Sequence, residues 1–243
     1  MTRNVVLSYG GGVNSTAMTL LILTDERYAD LRPGLRLVFA ETGDEWPETY
    51  AFIEQFERDV LTRHGLRLDR VARTGPTLEA YSTEQGIVPS RMNRWCTDKF
   101  KVRPIRAWLP TLPYSETIML IGFDAGEPHR AKPSETPGIT NRFPLIESGL
   151  DRQGCLALIR RAGVPEPMKS GCFYCPFQRK AKWVTLARQH PDLYQRAVAL
   201  DAIGVAQDYP LAHKTLPLHD WIARDLAQDD MFDADEAHCM CGL

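Results

Sequence analysis

The chain has 243 residues, of which 44% are hydrophobic and 25% charged, with a formal net charge of −2. That is ordinary globular composition, large enough to bury a core as one domain or as a domain with a small appendage. It excludes a nucleic-acid binder built on global charge, so any such contact has to come from a local basic patch. The start, MTRNVVLSYGGG, holds no apolar run of signal-peptide length, and residues 20–23 (LLIL) are far too short to span a bilayer. Six cysteines without an export signal point to a cytoplasmic chain whose thiols serve metal or redox chemistry rather than disulfides.

Residues 4–9 (NVVLSY) read as a short buried strand, broken by Gly10, Gly11 and Gly12. Asn14 or Ser15 then caps a helix with Ala17, Met18, Leu20, Leu21 and Leu23 as its apolar positions. Residues 35–40 (LRLVFA) read as a second strand. Pro47 opens a helix to about residue 63, with Phe52, Ile53, Phe56 and Val60 at helical spacing. Residues 66–72 and 117–121 are further strands, the latter ending at Gly122. Strands alternating with helices predict an α/β fold with a mostly parallel twisted sheet and helices on both faces. After about Asp151 the pattern turns helical, at residues 151–162, 178–189 and 191–203. The expected organisation is a nucleotide-binding domain over 1–150, a helical region carrying a cysteine site over 151–228, and an acidic, cysteine-containing tail over 229–243.

The glycine loop carries the first chemistry. Glycines let a backbone approach an anion and adopt positive φ, and the N-terminus of the following helix favours negative charge. Ser15 and Thr16 add hydroxyls. No Lys precedes them, so this is not a Walker loop, and three adjacent glycines do not make GxGxxG. A tight strand–helix turn without a ligand is the plainer reading. The place of the loop, at the carboxyl edge of a parallel sheet, favours a ligand site.

Ser8 followed by GGGVNS resembles the SGGxDS loop of the PP-loop ATP pyrophosphatases, with Gly10 in place of Ser and Asn14 in place of Asp. That resemblance implies a pocket that holds the pyrophosphate of ATP, formed by Ser8, Gly10, Gly11, Gly12, Asn14, Ser15 and Thr16. Residues 39–49, FAETGDEWPET, resemble the F-x-D-T-G-x-x-x-P-E-T segment of the 3′-phosphoadenylyl sulfate (PAPS) reductase branch, with Glu41 for Asp. Glu41, Thr42 and Gly43 then lie where a base and ribose are held. Glu45 and Glu48 read equally well as first-turn charges of a helix. Residues 121–130, IGFDAGEPHR, resemble the G-x-R-x-x-E-S-x-x-R segment of the same reductases, with Asp124 at the first Arg. Gly122 and Arg130 become nucleotide contacts, and Lys132 a further phosphate or sulfate contact.

Residues 91–104, RMNRWCTDKFKVRP, put Arg91, Arg94, Lys99, Lys101 and Arg103 close together. A solvated helix face is the usual meaning of such a run, but Cys96 inside it gains a lowered pKa from its cations. The run resembles R-x-C-C-x-x-x-K-x-x-P of adenylyl sulfate (APS) reductases, with Trp95 at the first cysteine. The resemblance makes Arg91, Arg94, Lys99 and Lys101 candidate catalytic cations. Cys172 and Cys175 form a C-x-x-C-P, as in iron–sulfur and zinc sites. With Cys96 and Cys155 they make a four-thiolate set that suits a [4Fe-4S] cluster or a zinc ion, and the resemblance favours the cluster. Cys155 reads equally as a small buried hydrophobe beside Leu158 and Ile159. The end, HCMCGL, partly echoes the E-C-G-L-H tail of these reductases, which makes Cys241 a candidate nucleophile.

Three functions follow. The first is cleavage of Mg²⁺-bound ATP to AMP and pyrophosphate, activating a substrate for sulfur transfer, with a desulfurase or thioredoxin-like donor. Nucleic acid is one substrate class this would serve. The second is reduction of PAPS or APS to sulfite. The third is a non-enzymatic iron–sulfur or nucleotide-binding partner subunit.

Overall fold

Val5, Val6 and Leu7 are strand formers buried on both faces, which makes β1 (Asn4–Ser8) a central strand. A computed structural model describes residues 3–227. In chain order follow α1 (Val13–Thr24), β2 (Leu35–Glu41), α2 (Pro47–Phe56), β3 (Leu68–Ala72), α3 (Leu78–Gln85), the single turn α4 (Trp95–Thr97), α5 (Arg103–Trp108), β4 (Thr117–Leu120), β5 (Ile139–Arg142), α6 (Pro144–Glu147), α7 (Arg152–Arg161), α8 (Lys180–Gln189) and α9 (Pro191–Val205). The chain divides into two compact units. Unit 1 holds the described residues up to Gly75 together with Thr97–Gly171; unit 2 holds Pro76–Cys96 and the described residues from Cys172 onward. No helix among the described residues is long and apolar enough to cross a membrane.

Unit 1 is an α/β layer structure. Its five strands are all parallel, in the order β3-β2-β1-β4-β5. The chain steps outward from β1 through β2 to β3, then crosses back to place β4 on the other side of β1. The direction of winding therefore reverses between β1 and β4, and the crevice at their carboxyl ends is where such sheets bind ligands. Residues alternate between two cores, as the period of a strand requires. Val5, Leu7, Leu37, Phe39, Ile118 and Leu120 join α1 and α7 on one face. Val6, Val38, Ala40 and Met119 join Leu109 and Leu112 on the other. Helix α7 begins where Asp151 caps it by accepting from the Gly154 amide at 2.8 Å. It buries Cys155, Leu158 and Ile159 in the sheet core of unit 1.

The outer strand β5 (ITNR) was not predicted, because four mixed residues at a sheet edge give no burial pattern. The helix expected from Pro47 to about residue 63 is α-helical to Phe56 and then widens and tightens through Glu57–Leu61 and Thr62–His64.

Unit 2 is helical. Trp183, Leu186, Tyr194, Ala197 and Leu200 are buried residues of α8 and α9. Asp201 on α9 is 1% exposed. Its two carboxylate oxygens accept the amides of Leu211 at 2.7 Å and Leu218 at 2.6 Å. One buried carboxylate thus fixes a loop with no regular structure of its own.

Candidate nucleotide site and cysteine turn

The turn from β1 into α1 is shaped by glycine at points where nothing else fits. Gly11 has φ of +68°, and a Cβ there would lie 2.8 Å from the Ile53 side chain. A Cβ on Gly12 would meet the Ser170 hydroxyl at 2.7 Å, and one on Gly122, at the end of β4, would lie 3.3 Å from the Ser15 amide nitrogen. Gly10 faces open space. Gly12 is the N-cap of α1, and no side chain caps the helix. The first-turn amides of α1 thus have no side-chain cap, the arrangement that anion-binding helix starts use.

The side chains of the loop divide. Ser15 donates to the Gly12 carbonyl at 3.1 Å, and fully buried Thr16 lies 3.3 Å from the Tyr9 hydroxyl. Both hydroxyls therefore brace the loop. Burial pushes the Tyr9 hydroxyl well above its ordinary range, so it stays a neutral partner. Asn14 faces the β4 exit: its amide donates to Asp124 at 3.0 Å, and its carbonyl oxygen accepts from Arg152 at 3.3 Å. Asp124 is 6% exposed and also accepts the Gly126 amide at 2.9 Å. Two of the departures from the family pattern, Asn14 and Asp124, are hydrogen-bonded to each other. A carboxylate at both positions would repel; an amide at one makes the pair compatible.

At the β2 exit, Glu41 accepts the Gly43 amide at 2.8 Å and the Tyr50 hydroxyl at 2.5 Å. Burial first, and the bond to Glu41 next, push the Tyr50 hydroxyl upward, so it remains a donor. Gly43 is left-handed at φ +82°, which lets the chain turn over the end of β2. Thr42, Asp44 and Glu45 are buried there. Lys101 reaches Glu45 at 3.1 Å, from the wide helical turn Asp98–Val102 anchored by buried Phe100. The other Glu45 oxygen and the Thr49 hydroxyl are buried without a hydrogen-bond partner. Thr49 also lies against Gly11, 3.3 Å from where a Cβ would sit. Unsatisfied buried polar atoms beside an uncapped helix mark a place for a polar ligand or water.

On the other sheet face a cavity of about 310 Å³ opens at the ends of β1 and β4, lined by Ser8, Met119, Ile121, Arg106, Glu135 and Asn141 among others. Apolar floor with a few polar rims suits a flat ring. Arg130 lies 4.1 Å above the Phe123 ring and pairs with Glu127 at 2.7 Å, so its charge is partly spent within its own loop.

Sequence reading missed Asp124, Arg152, Ser170 and Tyr50 as parts of this site. Only Asp124 carried a signal, as a mismatch to a pattern. Arg152 and Ser170 reach the site from distant segments, and Tyr50 stands one residue past the 39–49 segment.

The basic run is split between the units. Lys99 and Lys101 belong to unit 1; Arg91, Arg94 and Cys96 belong to unit 2. Cys172 and Cys175 are in unit 2 as well. They bracket a tight turn in which the Cys175 amide donates to the Cys172 carbonyl at 3.0 Å, followed by Gln178 donating back to Phe173 at 2.6 Å. Such a turn presents two sulfurs on one loop, which suits a metal. Cys155 is a core residue of unit 1, fully buried, and burial pushes its thiol up to about 12. Among the described residues no three His, Cys, Asp or Glu side chains are grouped to hold a metal ion. Cys155 thus lies in unit 1 and the other three cysteines of the expected set in unit 2, and no chemistry is derived through a cluster. Cys239 and Cys241 lie outside the described residues.

Two proteins of Methanocaldococcus jannaschii described as uncharacterized are each 24% identical to this chain. One match covers 83% of the chain and 48% of the relative, the other 80% and 40%. The chain thus spans about half the length, or less, of these relatives. Among solved structures, PAPS reductase from Candida auris in a phosphate complex aligns over 68% of this chain and 75% of its own, at 17% identity and a TM-score of 0.48. The U34-tRNA thiolase NcsA from Methanococcus maripaludis with its [4Fe-4S] cluster aligns over 92% and 82%, at 13% identity and a TM-score of 0.43. The model of the phosphoadenosine phosphosulfate reductase domain matches residues 4–157, most of unit 1 and well over half of the chain. This chain belongs to the phosphoadenosine phosphosulfate reductase domain family.

Proposed function

We propose that the chain binds Mg²⁺-ATP in the crevice of unit 1 and cleaves it to AMP and pyrophosphate, activating a substrate for sulfur transfer. The observation that carries this reading is the uncapped start of α1, with close backbone approach at Gly11, Gly12 and Gly122. That geometry offers amides to a pyrophosphate, and Gly11 and Gly12 have no space for a side chain. The unsatisfied Glu45 oxygen and Thr49 hydroxyl supply further polar contacts, and the cavity beside Ser8 and Ile121 has room for the base.

In this reaction a substrate oxygen attacks the α-phosphorus and the bond to the β-phosphate oxygen breaks, so pyrophosphate leaves with the amides of α1 balancing its charge. Lys101, held by Glu45, adds a cation at the β2 exit. Hydrosulfide then displaces AMP; where the sulfur arrives as a desulfurase persulfide, a thioredoxin-like dithiol supplies the two electrons that release it as hydrosulfide and is itself oxidised to the disulfide. A cluster or zinc at Cys172 and Cys175 belongs to the reading on the C-x-x-C-P spacing alone. Anaerobic purification with iron and zinc analysis tests it, and a metal-free protein with full activity removes it.

Reduction of PAPS or APS is the second reading, favoured by the family match. Buried Asp124 weighs against it, because it sets a negative charge at the loop where the reductase pattern has an arginine. Incubating the protein with ATP, PAPS and APS separately distinguishes the two. Pyrophosphate release from ATP supports the first; sulfite from PAPS or APS with none from ATP overturns it. Tight ATP binding with neither product leaves the non-enzymatic partner subunit as the reading.

A further inference from the structure

We propose that unit 2 carries a docking surface for a single-stranded nucleic acid, built from Arg91, Arg94, Phe177 and Arg179. The inference goes beyond the nucleotide chemistry of unit 1 and does not depend on it. The chain as a whole is slightly acidic, yet residues 85–97 and 172–191 contain no Asp or Glu. Over the same residues they carry Arg91, Arg94, Arg179, Lys180, Lys182 and Arg188. Unit 2 brings these two segments together. The Arg91 guanidinium donates to the Pro176 carbonyl at 3.0 Å, and that of Arg94 lies 5.1 Å above the Phe177 ring. The Trp95 indole, itself packed on Tyr81 at 5.6 Å, bonds the Val88 carbonyl at 3.4 Å and braces the arm.

Lys180 pairs with Asp225, which takes it out of the count. Arg91, Arg94 and Arg179 are exposed, and among the described residues none of the three is in an ion pair with a carboxylate. Phe177 is 40% exposed and Met92 90% exposed in the midst of them. The partner this fits is anionic and also offers flat apolar faces. A single strand of nucleic acid has both: phosphates for the guanidinium forks and open bases to stack on an aromatic ring beside an arginine. In an acidic peptide the charge and the flat face come from separate side chains with no fixed repeat, and a duplex hides its bases in the stack.

The test is fluorescence anisotropy of the full chain with labelled oligo-dT and oligo-U of twenty nucleotides and a duplex of equal length, from 25 to 300 mM salt, without ATP. Single strands are expected to bind more tightly than the duplex. The expected log–log salt slope is about −2, as about three phosphate contacts on a single strand require. Replacing Arg91, Arg94 and Arg179 together by Ala is expected to weaken binding at least tenfold and flatten the slope, and Phe177→Ala to cost about fivefold or more. The double variant Arg63→Ala/Arg67→Ala, on exposed cations of unit 1, is expected to bind as the parent does. Absence of single-strand binding at 25 mM salt, or equal losses in the unit 1 control, overturns the proposal. Comparing oligo-dT with oligo-U separates DNA from RNA as the source. Because pyrophosphate release is measured on its own, either proposal can fail without the other.

Discussion

The glycine loop of unit 1 and the cysteine turn of unit 2 are both short turns with conspicuous residue patterns, but the fold completes them to different degrees. The loop is closed in from three directions, by Ile53 on α2, by Ser170 and by the β4 exit at Gly122. The cysteine turn is held by backbone bonds from Cys175 and Gln178, and its sulfurs are not part of any grouped metal set among the described residues. The difference follows from the type of donor each uses. Backbone amides at a helix start are placed by the helix itself, whereas thiolates must be gathered from separate segments by side-chain packing.

The largest expected effect that would break this contrast is at Gly11. Gly11→Ala combines left-handed strain with a contact to Ile53, for a loss of about 2–5 kcal/mol in urea denaturation. ATP binding by calorimetry should vanish with it. Gly10→Ser, which restores the residue usual in the family pattern, faces open space and should change stability by no more than about 0.5 kcal/mol. A Gly11→Ala protein as stable as its parent would show that the loop is not braced.

Next comes the carboxylate that organises unit 2. Asp201→Asn removes one of two acceptors for buried amides and should cost about 2–4 kcal/mol, read as a lower Tm. An unchanged Tm would mean that the 206–218 loop is held by something else.

A smaller and more specific effect tests the paired departures from the family pattern. Asn14→Asp puts a second carboxylate within 3.0 Å of Asp124 and should weaken ATP binding roughly tenfold, about 1.4 kcal/mol. Adding Asp124→Asn should recover most of the loss in a double-mutant cycle. Additive losses would show that the two positions act independently.

The subtlest test concerns Cys155. Its folded-state pKa is raised to about 12 by burial, so ionisation is easier in the unfolded chain. Stability from this group is present below the ordinary thiol range and is lost as pH rises from about 9 toward 12. Iodoacetamide at pH 8, read by peptide mass spectrometry, should modify half-buried Cys175 while leaving Cys155 intact. Rapid labelling of Cys155 in the native protein would show that its thiol is not held in the core.

Much of the fold of unit 1 is legible in the residues alone, because strands buried on both faces need continuous apolar runs and their crossovers need helices. That gave β1, β2, β3 and β4 with the helices between them, and it placed the glycine loop at the end of β1. The loop could be recognised because its chemistry is backbone chemistry: three glycines and a following helix are local facts. Other features depend on which distant segments meet. That Asn14 bonds Asp124 and Arg152, that Ser170 closes over Gly12, and that Lys101 is steered by Glu45 are long-range contacts without a local signature. The basic run at residues 91–104 reads as one segment in the sequence, but the tertiary structure divides it, giving Lys99 and Lys101 to the sheet unit and Arg91 and Arg94 to the helical one. Spacing says which residue types are available; only packing decides which of them share a surface, because burial and pairing depend on chain segments that no local pattern can see.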